Sequence, residues 1–111
     1  MTVPIYNMRV YQGANYTLTV TFQARDLTGY TVRMQGRTSH AATSTVFSLT
    51  NASGITVTAG ANSVITPTLS ATATAALTAP MIGVYDIEYE SAGVVTRILE
   101  GSFYITPEVT R

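Results

Sequence analysis

The 111-residue chain has no cysteine. No disulfide can brace it, and thiolate zinc sites are excluded. A cysteine-free chain suits folding in a reducing cytoplasm. Lysine is also missing, so all six basic residues are arginines, balanced by six acidic residues. A neutral chain lacks the basic stripe expected of a nucleic-acid binder. It has no particular attraction for an anionic membrane surface either. No apolar run approaches the roughly 18 residues that cross a bilayer. The opening "MTVPIYNMRV" has no basic stretch followed by an apolar one, so it does not read as a secretion signal.

What the chain does have is threonine and alanine. Threonine is β-branched and sits well on a half-exposed pleated surface. With so few charges, much of the exterior must be Thr, Ser, Ala, Asn and Gln. Hydroxyls and methyls resist burial against a partner less than charges do, because less hydration is lost. This composition points to a protein that lives packed against something. An ordinary Thr-rich β-domain has the same composition.

The length fits one domain spanning 1–111. Period-two segments recur between turn signals. Ile5 to Tyr11 reads as a first strand. "YTLTVTFQA" at 16–24 puts Leu18, Val20 and Phe22 on one face and Thr17, Thr19 and Thr21 on the other. Asp26 and Gly29 make "DLTG" a turn, and Tyr30 to Arg37 continues as a strand with Val32 and Met34 inward. Residues 38–45 form a loop. "VFSLT" at 46–50, "ITVTA" at 55–59 and "SVITPTL" at 63–69 follow as strands, and Pro67 either demotes the last to an edge or sits where its neighbour is solvent. A short helix lies within about 70–79, capped by Ser70, anchored by Leu77 and stopped by Pro80. "IGVYDIEYE" at 82–90 places Tyr85, Ile87 and Tyr89 inward and Asp86, Glu88 and Glu90 outward. The final strand, 94–107, has mixed facing, and a bulge at Gly101 would reconcile it. The whole reads as all-β: an immunoglobulin-like sandwich of seven to eight antiparallel strands. Tyr85 is the candidate for a hydroxyl that bonds back to the preceding corner. An up-and-down barrel is the runner-up. Residues 1–4 and 107–111 are left as extended arms.

Catalytic signals are weak. His40 is the single histidine and sits in a polar loop, and no nucleophile signature accompanies it. Asp86, Glu88 and Glu90 are spaced about 7 Å apart along a strand, too wide for one calcium ion without loop ligands. No glycine-rich phosphate loop is present. The expectation is a non-enzymatic protein with no cofactor, no metal, and no nucleic-acid or membrane partner. The seven tyrosines could anchor an interface or stack on sugars. Candidate interface residues are Tyr30, Arg33, Gln35, Arg37, Tyr104, Pro107, Val109 and Arg111.

The strings "DLTGYTVRMQGR", "FSLTNASGITV" and "TLSATATAALTAPMIGVYDIEYESAGVVTRILEGSFYITPEVTR" resemble a family of small phage and prophage virion proteins. The resemblance runs from about Val10 to Arg111. Its most specific parts are the "DLTGYTVRMQ" turn and strand, the "LSATxTAAL" helix and the "VVTRxLEGxFxxxPEVTR" end. Such proteins are similar to the immunoglobulin-like N-terminal domain of phage baseplate upper proteins, which docks receptor-binding machinery. The resemblance implies a tail, baseplate or fibre role, made in the host cytoplasm and carried in the virion. The implied partners are other virion subunits, with a homo-oligomer in the particle. It supplies no catalytic residue. Two alternatives remain at this level: a capsid decoration protein, and a carbohydrate-binding module using exposed tyrosines with Asp86 or Glu88.

Overall fold

A computed structural model describes residues 3–22 and 25–109. The chain forms a two-sheet β-sandwich with one short helix. The strands are β1 (Met8–Tyr11), β2 (Tyr16–Thr17), β3 (Val20–Phe22), β4 (Thr31–Arg37), β5 (Phe47–Thr50), β6 (Ile55–Thr58), β7 (Ser63–Leu69), β8 (Met81–Ser91) and β9 (Val94–Thr106), with α1 (Ala71–Ala75) between β7 and β8. One sheet runs β1-β9-β8-β4-β5. In the other, β7 is central, with β6 on one side and β2 and β3 on the other. β1 lies parallel to β9, whereas β8 and β9 form an antiparallel hairpin. Two separate sheets and a parallel first strand rule out the up-and-down barrel.

Alternation builds the core. Val10, Val32, Met34, Ile65, Ile87, Phe103 and Ile105 are buried, as is Leu27 from the turn before β4. Phe103 and Phe47 meet edge to face with centroids 5.2 Å apart. Ala92 and Gly93 adopt positive φ in the two-residue turn that joins β8 to β9, the geometry such a tight hairpin needs.

Several expectations change. The first strand is shorter than Ile5–Tyr11: it begins at Met8, and Ile5 makes only an isolated bridge to Glu100. The expected 16–24 strand is split into β2 and β3, and its Gln23 and Ala24 lie outside the described residues. Pro67 explains the split. It sits in the central strand and not at an edge. Its carbonyl accepts from Leu18 N at 3.0 Å, so its missing N–H would face the same neighbour. The ladder breaks there, and the neighbouring strand is interrupted at Leu18 and Thr19. The helix is shorter than 70–79. Ser70 does cap it, accepting from Ala73 N at 3.1 Å. Its deepest anchor is Thr74, fully buried, whose hydroxyl donates to Ala14 O and accepts from Gly13 N. Leu77 packs on the core less completely.

The bulge of β9 lies at Ile98, not Gly101. Ile87 pairs Leu99, but Glu88 pairs Arg97, so Ile98 is the extra residue. That one insertion turns Leu99 inward and Arg97 outward. Tyr85 is buried as expected, but its hydroxyl donates to the Tyr6 carbonyl of the N-terminal segment, not to the corner before β8. The segment is held there by Tyr6 N to Glu100 O and Glu100 N to Pro4 O, at 2.9 and 3.1 Å. Pro4 is therefore tied to the sheet and is no free arm. At the other end Glu108 N donates to Gln12 Oε1, and Thr110 and Arg111 lie outside the described residues.

Candidate functional site

The two outer faces of the sandwich differ in kind. On the five-stranded sheet, β4 presents Arg33, Gln35 and Arg37, β8 presents Asp86, Glu88 and Glu90, and β9 presents Arg97 and Glu100. Register sets Arg33 beside Glu88, Gln35 beside Asp86, and Asp86 beside Glu100. Seven of the chain's charged residues, from six basic and six acidic, therefore share one face. Arg33 bridges Glu88 at 2.6 Å and Glu90 at 3.2 Å. Arg97 bridges Asp86 at 3.3 Å and Glu100 at 3.1 Å. Arg37 has no carboxylate partner among the described residues. Its guanidinium donates to Ala42 O and to Gln35 Oε1, each at 3.1 Å.

These pairs are partly exposed, so each adds at most about 1 kcal/mol to stability. They do fix side-chain positions. The hydrogen bond to Glu88 is the main reason the Arg33 guanidinium holds its proton more tightly. Asp86 is half-buried, and burial raises its pKa above the usual carboxylate value against the pull of Arg97. The loop at 38–46 rises over one side of the sheet. Between it, β4, β8 and β9 lies an open depression of about 330 Å³.

The other sheet turns Thr17 and Thr21, Thr56 and Thr58, and Val64, Thr66 and Thr68 outward. Thr19, between β2 and β3, is exposed as well. None of these positions is charged. Thr17 and Thr68 hydroxyls lie 3.5 Å apart across the ladder.

The expected interface residues do not form one patch. Arg33, Gln35 and Arg37 line up on β4. Tyr104 lies at the far end of the same face, beside Ile82 on β8 and Arg9 on β1. The Arg9 guanidinium sits 5.0 Å from the Tyr104 ring centre. Pro107 and Val109 are exposed beyond β9. Tyr30 is half-buried with its ring edge-on to Tyr89 at 5.1 Å, so most of it is already used. Arg111 falls outside the described residues. Compared with known proteins, the chain matches no family model and no curated protein. The threonine face was missed as a candidate, although its signal is plain in the alternation at 17–21, 56–58 and 66–68.

Of the tyrosines, Tyr85 and Tyr89 are buried, whereas Tyr6 and Tyr11 are about half exposed. Burial raises the Tyr16 phenol to about 12, with nearby Tyr6 adding to the shift. Burial raises Tyr85 further. A raised folded-state value means both phenols favour the folded state while neutral. That contribution is full below the unfolded value of about 10 and is lost as pH rises through the folded values. Ultraviolet titration of phenolate is expected to show these two resisting ionisation until alkaline unfolding. Seven phenols titrating together near pH 10 in a folded chain would contradict the placement.

Proposed function

We propose that this chain is a non-enzymatic structural protein of a bacteriophage virion, associated with the tail, baseplate or fibre, that works by packing against other virion subunits and copies of itself. The observation that carries the reading is the uncharged threonine face of the β6-β7-β2/β3 sheet. Covering it strips hydration from hydroxyls and methyls but from no ion, which is the lower-cost kind of surface to bury. A protein whose charges gather on one face and leave the opposite face neutral can be attached by the neutral one. The near full-length resemblance of the sequence to small phage virion proteins supports the same reading. On the charged face, Arg33 and Arg97 each join two carboxylates, an arrangement that neutralises groups instead of leaving a reactive one exposed.

Quantitative mass spectrometry of purified particles tests the proposal. A tail-associated role predicts a few to a few dozen copies per particle. Copies on the order of the major capsid protein would move the chain to capsid decoration. Absence from the particle would remove the virion role altogether.

A further inference from the structure

We propose that the depression between β4, β8, β9 and the 38–46 loop is a binding site for a neutral, polyhydroxylated carbohydrate. Its volume of about 330 Å³ is at the lower end for small-ligand sites, roughly 300–1,000 Å³. It is lined by Gln35, Arg37, His40, Asp86, Arg97 and Glu100 among others, over a floor that includes Val84.

Three features of the lining select the ligand. First, its polar groups are held in place before anything binds. Arg97 is clamped between Asp86 and Glu100. Arg37 is fixed by Gln35 and by the Ala42 carbonyl, which also ties the loop to the sheet. Gln35 in turn reaches Ser48 at 3.4 Å. Little ordering is left for a ligand to impose. Second, each fixed group keeps spare capacity of the opposite kind to its neighbour. Arg97 Nε faces Asp86 Oδ2, and its Nη1 faces Glu100 Oε1. The second oxygen of each carboxylate remains an acceptor. Arg37 uses two of its N–H groups on neutral oxygens and keeps others as donors. A sugar hydroxyl both donates and accepts, so interleaved acceptors and donors match a ring bearing several of them. Third, the charges nearly cancel. Arg37 and Arg97 face Asp86, Glu88 and Glu100, and Glu88 is paired with Arg33, which it shares with Glu90. The small negative excess disfavours an anion, and the ion pairs already made leave no carboxylate bare for a cation. The apolar Val84 floor suits the C–H edge of a pyranose.

The depression is lined by no exposed tyrosine, phenylalanine or tryptophan ring, and Tyr85 in its lining is buried with its hydroxyl engaged by Tyr6. Without stacking, a single site should bind weakly, with a Kd of about 1–10 mM. Useful affinity would come from several copies acting together.

The inference stands apart from the virion reading: sugar binding and particle membership can each hold or fail alone. The test is an amide-resolved NMR titration of the whole chain with galactose, glucose, mannose and lactose, beside glucuronate, glucosamine and glycerol. Saturable shifts with at least one neutral sugar are expected, centred on residues 35–37, 84–86 and 97–100. Arg37→Ala and Asp86→Asn should each raise that Kd by roughly 10-fold, with the spectrum of the free protein unchanged beyond the depression and the 38–46 loop that Arg37 ties down. Arg37 has no ion-pair partner among the described residues, so its variant leaves the Arg97 pairs in place, and the two variants together separate loss of a ligand contact from loss of an ion pair. No saturable shift with any neutral sugar at about 0.1 M, well above such a Kd, overturns the proposal. So do shifts no different from those of glycerol, shifts centred elsewhere, or a response to glucuronate or glucosamine alone.

Discussion

Phe103→Ala is expected to lower stability by about 3–5 kcal/mol. Phe103 is 1% exposed at the centre of the sandwich, edge-on to Phe47. The two rings occupy space that two glycines leave open. A Cβ on Gly36 would fall 2.4 Å from the Phe47 ring, and one on Gly83 would fall 2.4 Å from the Phe103 ring. Those glycines sit on β4 and β8, each close to one of the two perpendicular rings. Removing one ring leaves a cavity that neither glycine can fill. For a domain of this size total stability is about 5–15 kcal/mol, so the loss is a large share of it. Urea unfolding should show a lower midpoint with an unchanged slope. A midpoint within experimental error of the parent would mean that the ring pair is not at the centre of the core.

Gly101→Ala should cost about 2–4 kcal/mol, from overpacking plus disturbed buried polar contacts. A Cβ there would fall 2.1 Å from the Tyr6 carbonyl oxygen. That oxygen belongs to the backbone and accepts the Tyr85 hydroxyl, so it cannot swing aside as a side chain would. The N-terminal segment must lift, weakening its bonds to Glu100 as well. Amide hydrogen exchange is expected to speed up across residues 5–11 before it does so in β4 or β8. Tyr85→Phe removes only the hydroxyl and should cost about 1 kcal/mol. Equal stability of the glycine variant and the parent would show that the segment does not lie where it is described.

Most strands were legible because one face of each is buried. The seven-residue β7 was read to the residue, since Val64, Thr66 and Thr68 alternate with Ser63, Ile65 and Leu69. The outward faces of β4 and β8 are equally clear in the alternation, and they mark Arg33, Gln35 and Arg37 as outward. Their meeting with Arg97 was not. A bulge adds one residue without a compositional mark, and Gly101 looked the better place for it. Glycine at 101 instead answers to a close backbone approach from 95 residues away in the chain, which local pattern cannot show. Pro67 misled in a similar way. A missing donor argues for an edge unless the neighbouring strand breaks opposite it, and that break depends on pairing. Tyr30 is a candidate contact in the sequence, but its ring meets that of Tyr89, which lies 59 residues further on. The depression was also out of reach, since its wall is a loop without periodicity held down by Arg37.

The parallel pairing of β1 with β9 has a mechanical consequence. The two strands run side by side in the same direction, joined from Met8–Phe103 to Tyr11–Thr106. Tension applied through the two ends of the chain would draw one strand backward and the other forward along a shared axis. Their hydrogen bonds are then loaded in shear and must yield together instead of unzipping one by one. A domain wired this way resists being pulled open along the axis that β1 and β9 share.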